Sequence, residues 1–373
     1  MADLSPSIGS LFGVKIELHW SFILLMLLVL FLGAFYLFLI LVLLFICVLV
    51  HELFHSITSK RNNIPVKKIV LYPMGGGSII DFEKVGPELE FRISIVGPIA
   101  SLLLAGVLGI ANILTPAGFI RSLLQTLFVL NIFLGVFNLL PWLPLDGGRA
   151  LRSYLQRTRN FLQATQLSVK VSNAITCIFI IATIGYASLM HGYSLLYREL
   201  LVVYTFIIAL FIYSGAKYEM QAAFIKENIK GLRATDAATK NYLLLKPNSD
   251  TKSLYKTMLK SGTSIVLFKK GEAVQMLSSS ALQKMLSKNT QGVILQNLGT
   301  PIPSVQYNAS LYYTIERMRS DGSNIAAVMK GKSIAGILLM NHAESIIALH
   351  ISQKRSATRA QRQGQGEARG LRS

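Results

Sequence analysis

Apolar and polar positions segregate along this chain into long blocks. From Trp20 to Val50 there is no Asp, Glu, Lys or Arg, whereas a helix needs only about 20 apolar residues to cross a bilayer core of about 30 Å. The apolar stretch to about Ser56 is too long for one span, so it predicts two short helices with a break near Gly33. Polar residues follow from Thr58 to Glu90, within which Val66 to Tyr72 and Ser78 to Phe82 read as short strands around Pro73-Met74-Gly75-Gly76-Gly77. Further apolar segments run from about Phe91 to Leu114, Ile120 to Leu145, Leu167 to Leu189 and Tyr193 to Ser214. The expected architecture is an all-α polytopic membrane domain of about six transmembrane helices with a small membrane-associated β-hairpin.

Beyond Lys217 the long apolar runs stop and a mixed α/β pattern begins, with an internal repeat. Ser253-Leu254-Tyr255-Lys256-Thr257-Met258 matches Ser310-Leu311-Tyr312-Tyr313-Thr314-Ile315, and Lys270-Gly271-Glu272-Ala273-Val274 matches Lys330-Gly331-Lys332-Ser333-Ile334. Each copy reads as helix, strand (Ile265 to Lys269; Ile325 to Met329), Lys-Gly turn, strand and helix (Ser279 to Leu286; His342 to His350). Such a unit, occurring twice, resembles a tandem pair of CBS modules and implies a C-terminal α/β CBS-pair domain. The expected division is a membrane core over 1–216, a linker over 217–240, the repeat domain over 241–353 (copies at about 241–288 and 298–353) and a basic disordered tail over 354–373.

Composition supports the membrane assignment. The 373 residues are 52% hydrophobic and 15% charged, against roughly 25% charged in soluble domains. Lys and Arg outnumber Asp and Glu by 37 to 18, for a formal charge of +19. The excess is scattered over membrane loops and a tail, which fits contact with an anionic lipid bilayer and argues against a nucleic-acid partner. Loops 58–92 and 149–170 carry Lys60, Arg61, Lys67, Lys68, Lys84, Arg92, Arg149, Arg152, Arg157, Arg159 and Lys170, against little beyond Arg121 and Arg198 opposite. By the positive-inside rule this places both termini and the repeat domain in the cytoplasm of a multi-pass cell-membrane protein. Cys47 and Cys177 lie in apolar segments far apart in sequence and read as buried small hydrophobes rather than a disulfide.

The chemistry concentrates at His51-Glu52-Leu53-Phe54-His55. Helical residues four apart share a face, so His51 and His55 can ligate one cation while Glu52 takes a proton from a water held by it. An ionisable cluster at the end of an apolar span is a functional-site hypothesis by default. A hydrolytic zinc site takes three protein ligands, and Asp146 is the only acid between Glu90 and Glu199. It stands between Pro141-Trp142-Leu143-Pro144-Leu145 and Gly147-Gly148-Arg149, where proline breaks the helix and glycine lets the chain turn inward. A turn Asp is its plain alternative; the His-Glu motif favours ligation.

His51-Glu52-Leu53-Phe54-His55 together with Phe137-Asn138-Leu139-Leu140-Pro141-Trp142-Leu143-Pro144-Leu145-Asp146-Gly147-Gly148-Arg149 resembles the site-2 proteases, intramembrane zinc metalloproteases, and particularly members with C-terminal CBS modules. Pro73-Met74-Gly75-Gly76-Gly77 and Val96-Gly97-Pro98-Ile99-Ala100-Ser101 support the match. The resemblance implies one Zn2+ per chain held by His51, His55 and Asp146, Glu52 as catalytic base, and a transmembrane protein substrate cut near the cytoplasmic face in regulated intramembrane proteolysis. Asn138 could donate to the developing oxyanion or hold an extended substrate, or make a hydrogen bond between helices. The Gly75 region could pair with substrate as a strand edge, or be a tight turn. Phe54 stands where the family usually has Gly, which bears on the shape of the pocket.

CBS pairs often bind adenine nucleotides and pair as homodimers, so both are candidate partners. Ser278-Ser279-Ser280 and Met340-Asn341-His342, however, lack the Asp that commonly holds ribose. His19 and His191 read as interfacial, and His342 and His350 as surface or packing residues. Two other classes fit parts of the pattern: a CBS-gated metal transporter or channel, and a receptor with a structural zinc. A transporter has no use for a general base beside the first histidine, and an open fourth position with exchangeable water argues against a structural zinc.

Overall fold

The computed structural model describes residues 6–73, 75–80, 85–245, 258–277 apart from 259, 261, 264 and 272, and 299–370. The chain divides into two compact units, one over 3–224 and one over 225–373.

The membrane unit begins with two strands, β1 (Ser7–Leu11) and β2 (Val14–Leu18). The polarity pattern of this stretch does not announce them. β2 runs parallel to β3 (Val66–Tyr72), which pairs antiparallel with β4 (Gly75–Ile80), giving a sheet in the order β1-β2-β3-β4. The hairpin expected between residues 66 and 82 is therefore half of a four-stranded sheet.

Helix α1 (Trp20–Phe31) is capped by His19, whose Nδ1 accepts from the Ser21 N–H. Gly33, at φ +69°, breaks the apolar run before α2 (Phe35–Arg61). The break stands where the sequence places it, but only the first helix is short. At 12 residues α1 reaches roughly 18 Å, under the bilayer core. Among the described residues five helices are long and apolar enough to span: α2, α3 (Pro87–Leu114), α4 (Phe119–Leu139), α6 (Phe161–Leu189) and α7 (Leu195–Asn228). Between α4 and α6 lies α5 (Asp146–Leu155). The apolar segment expected to reach Leu145 stops as a helix at Leu139, because Pro141 disfavours helical backbone at Leu140 and removes a donor. Of the two cysteines, Cys47 is buried and Cys177 lies exposed on α6, neither in a disulfide. On an apolar helix such exposure is a lipid-facing position, so burial in protein was the wrong expectation for Cys177.

The C-terminal unit shows its repeat in strand order. In the first half β5 (Leu243–Leu244) runs parallel to β6 (Val266–Lys270), which turns into β7 (Ala273–Leu277), and β8 (Gly299–Pro301) follows. In the second, β9 (Ser304–Gln306) runs parallel to β10 (Ile325–Lys330), which turns into β11 (Ser333–Leu339). Both turns are made by the glycine of Lys-Gly, Gly271 at φ +62° and Gly331 at φ +61°, a backbone region that glycine enters without steric cost. Ser310 caps α8 (Leu311–Ser320) by accepting from the Tyr313 N–H, which explains the serine that opens the second repeat copy. The first copy's helices, at 253–258 and 279–286, fall almost entirely outside the described residues. Leu311, Met318, Val328 and Leu338 form the core of the second half.

Two boundaries differ from expectation. α7 carries on through the supposed linker to Asn228, since Lys217 to Asn228 holds neither Gly nor Pro. The last helix, α9, runs Met340–Gly370 across the stretch expected to be a disordered tail. Ala, Arg and Gln are good helix formers and no proline interrupts them.

Candidate metal centre

The two histidines project from one face of α2 because they are one turn apart, and both are buried. Asp146 opens α5 and meets them from a segment ninety residues later: its Oδ2 lies 3.0 Å from His51 Nε2 and 3.1 Å from His55 Nε2. One ligand atom from each of the three lies within 4.8 Å of the others. His55 Nδ1 donates to the Ile93 carbonyl at 2.7 Å. A carbonyl can only accept, so the proton sits on Nδ1 and a neutral His55 turns the lone pair of Nε2 toward Asp146. The ring of His51 is oriented by a hydrogen bond of 2.9 Å between its Nδ1 and the Ser101 hydroxyl, which can donate or accept. At such distances from a carboxylate oxygen the imidazoles need a shared positive charge, supplied by a second ring proton or by a metal ion. Zinc fits: bonds of about 2.0–2.2 Å in tetrahedral geometry put ligand atoms roughly 3.3–3.5 Å apart.

Space for an ion is kept open by glycine. A Cβ on Gly97 of α3 would lie 2.3 Å from His55 Nε2 and 2.8 Å from His51 Nε2. Beside it, a Cβ on Gly76 of β4 would lie 2.6 Å from Glu52 Cγ. The backbone of β4 therefore runs directly against the carboxylate arm next to the ligand pair. Phe54 is 43% exposed, so its ring stands on the outer side of α2. Asn138 donates from its amide to the Leu134 carbonyl one turn back in α4, at 2.9 Å; the hydrogen bond seen is within its own helix rather than between helices.

The segment that delivers Asp146 is tied down from several sides. The Trp142 indole N–H donates to Thr176 Oγ1 at 2.8 Å and the Leu143 N–H to Ser172 Oγ at 2.7 Å, both on α6. A Cβ on Gly148 would meet Leu143 N at 2.4 Å, so α5 folds back flush on this segment. Arg152 donates to Glu90 of α3 and, at 2.6 Å, to Glu219 Oε2 of α7; Arg149 donates to Glu219 Oε1 at 3.0 Å. Burial would lower the pKa of Arg152, and Glu90 and Glu219 more than reverse it. None of these four was singled out for chemistry from the sequence, which counted Arg149 and Arg152 as loop charges. The available signal was Glu219, the first carboxylate after the uncharged run from Leu200 to Ala216.

The C-terminal unit holds a cleft of about 720 Å³ whose lining includes Lys240, Tyr242, Tyr307 and Lys330. Lys330 Nζ stands 5.9 Å from the Tyr307 ring centre.

Comparison with known proteins bears on the membrane unit. A family model described as peptidase family M50 matches residues 39–117 and 104–183. A zinc metalloprotease of Methanocaldococcus jannaschii is 31% identical over 265 residues, covering 69% of this chain and 73% of the relative. Stage IV sporulation protein FB of Bacillus subtilis is 30% identical over 131 residues, covering 35% and 44%. Among solved structures, a site-2 protease from Methanocaldococcus jannaschii is 32% identical, covers 58% of this chain and 95% of that one, and has a TM-score of 0.44.

Proposed function

The chain belongs to peptidase family M50 and is a zinc metalloprotease; from that premise we propose that His51, His55 and Asp146 hold the zinc and that Glu52 is the base for peptide hydrolysis. The observation that carries this is the convergence of two Nε2 atoms and one carboxylate oxygen, drawn from segments ninety residues apart, in a space that a single Cβ at Gly97 would fill. Zinc, when bound, supplies polarisation of the scissile carbonyl and lowers the pKa of a water from about 15.7 to about 7. Glu52 takes the proton of the attacking water and returns it to the leaving nitrogen. The Ile93 carbonyl holds His55 in the tautomer that presents Nε2, and Ser101 orients the ring of His51. Asn138 is a candidate for the oxyanion or for an extended substrate.

The substrate is a transmembrane protein, unwound so that an extended stretch can lie beside β4, whose backbone at Gly76 touches Glu52. Cleavage is on the cytoplasmic side, a reading that rests on the basic loops. The C-terminal unit is a CBS-type regulatory pair, supported by its twice-used strand pattern, and its lysine- and tyrosine-lined cleft suits an adenine nucleotide. Titration of the full-length protein with ATP and AMP, giving no heat, would remove that ligand. Pairing of two chains through these modules is the corresponding assembly.

Glu52→Gln tests the core of the reading. The full-length variant is expected to keep one zinc per chain while cleavage of a membrane substrate falls by roughly 10²- to 10⁴-fold. Cleavage at the wild-type rate would sink the role of Glu52. Asp146→Ala is expected to lose zinc, and retention would remove the third ligand.

A further inference from the structure

Asp146 is the first residue of a ten-residue helix and follows a non-helical segment. Its aim at the two imidazoles therefore depends on what grips α5 from outside. We propose that Glu219 is a positioning residue for the metal centre, holding Asp146 in register through Arg149 and Arg152.

The grip is two-handed. Glu219 gives one carboxylate oxygen to each arginine, Oε1 to Arg149 at 3.0 Å and Oε2 to Arg152 at 2.6 Å. Arg152 passes the connection on to Glu90, near the start of the same α3 that brings Ile93, Gly97 and Ser101 to the histidines. One turn before Glu219, a Cβ on Gly215 would lie 2.5 Å from Pro144 Cγ. One face of α7 thus bears on the metal segment two residues before Asp146 and again three and six residues after it.

A purely stabilising role explains this network poorly. Arg152 is 5% exposed, Glu90 7%, and the Glu219 side chain 14%. Buried ion pairs of this kind often stabilise no better than apolar packing would, and here the Nε donors of both Arg149 and Arg152 are buried without a partner. What the arrangement does supply is direction, since a guanidinium fork engages carboxylates in a fixed geometry. Partners that orient ligands in this way typically change metal affinity by about 10- to 100-fold when removed.

The proposal rests on the ligand assignment above, and the two fail separately. Full-length Glu219→Gln is expected to weaken zinc, measured by competition with a chelator, by about 10- to 100-fold, and to shift the visible absorption of the cobalt-substituted protein. The matched control is Glu17→Gln, which breaks the Lys68–Glu17 pair of the N-terminal sheet (2.7 Å). It is expected to lower thermal stability while leaving zinc affinity and cobalt spectrum unchanged. Wild-type affinity and spectrum in Glu219→Gln, or an equal loss of zinc in the control, overturns the proposal. Where Glu219→Gln does not fold, Arg149→Lys keeps the charge and loses the fork: a shifted spectrum supports the proposal, and a wild-type one overturns it. If Asp146→Ala retains zinc, the failure lies with the ligand assignment instead.

Discussion

Two regions of the membrane unit make the proposed metal centre, and they solve the problem of placing a side chain differently. On α2 the geometry is intrinsic: a helix of any stability puts residues 51 and 55 on one face. At α5 the geometry is borrowed. Asp146 arrives after a broken segment, and its position is set by hydroxyls of α6, a carboxylate of α3, and a glycine and a carboxylate of α7. Repetition within one helix fixes the first pair, whereas the proposed third ligand is only as well placed as the contacts around it.

Substitutions can break that contrast. The largest effect is expected at Gly97→Ala, where the added Cβ lands 2.3 Å from His55 Nε2. Zinc content should fall to background with helical content intact by circular dichroism; a zinc-replete variant would show that the α2 pair is less rigid than stated. Gly148→Ala attacks the other region, since its Cβ meets backbone at Leu143 that cannot rotate aside. Overpacking of roughly 1–3 kcal/mol, felt by α5, should weaken zinc by roughly 5- to 150-fold in a chelator titration. Unchanged affinity there would mean that Asp146 does not depend on how α5 folds back. Ser101→Ala, which frees His51 Nδ1, should weaken zinc by about 10-fold, the low end for such partners. The smallest effect is expected for Trp142→Phe, which deletes the bond to Thr176. A loss of about 0.5–1.5 kcal/mol in stability with little change in zinc would sharpen the contrast, by showing that no single borrowed contact dominates.

Legibility in the sequence follows the same division. His51, Glu52 and His55 could be read from spacing because one helix relates them. Asp146 could be read because it is the only acid across a long apolar stretch, with Pro141, Pro144 and two glycines marking the turn. The gripping network could not, since its pairs join residues 62, 67 and 70 positions apart, and no local pattern links an arginine to a carboxylate at such range. β1 and β2 escaped for a related reason: β2 is anchored by parallel pairing to β3, with Lys15 opposite Lys68 across the whole of α1 and α2. The Lys-Gly turns of the C-terminal unit were legible because a hairpin is local and glycine marks its positive φ.

The split ligand set also has a consequence in time. A chain made from its N-terminus exposes His51 and His55 well before Asp146, 91 residues after His55, and at roughly 5–20 residues per second the gap lasts roughly 5–18 seconds. During that interval two of the three proposed ligands are present and the third does not yet exist. The residues that grip α5 come later still, with Glu219 on the last helix of the membrane unit. The order of synthesis therefore delivers Asp146 only after α2, α3 and α4, and the side chains that grip it only with α6 and α7.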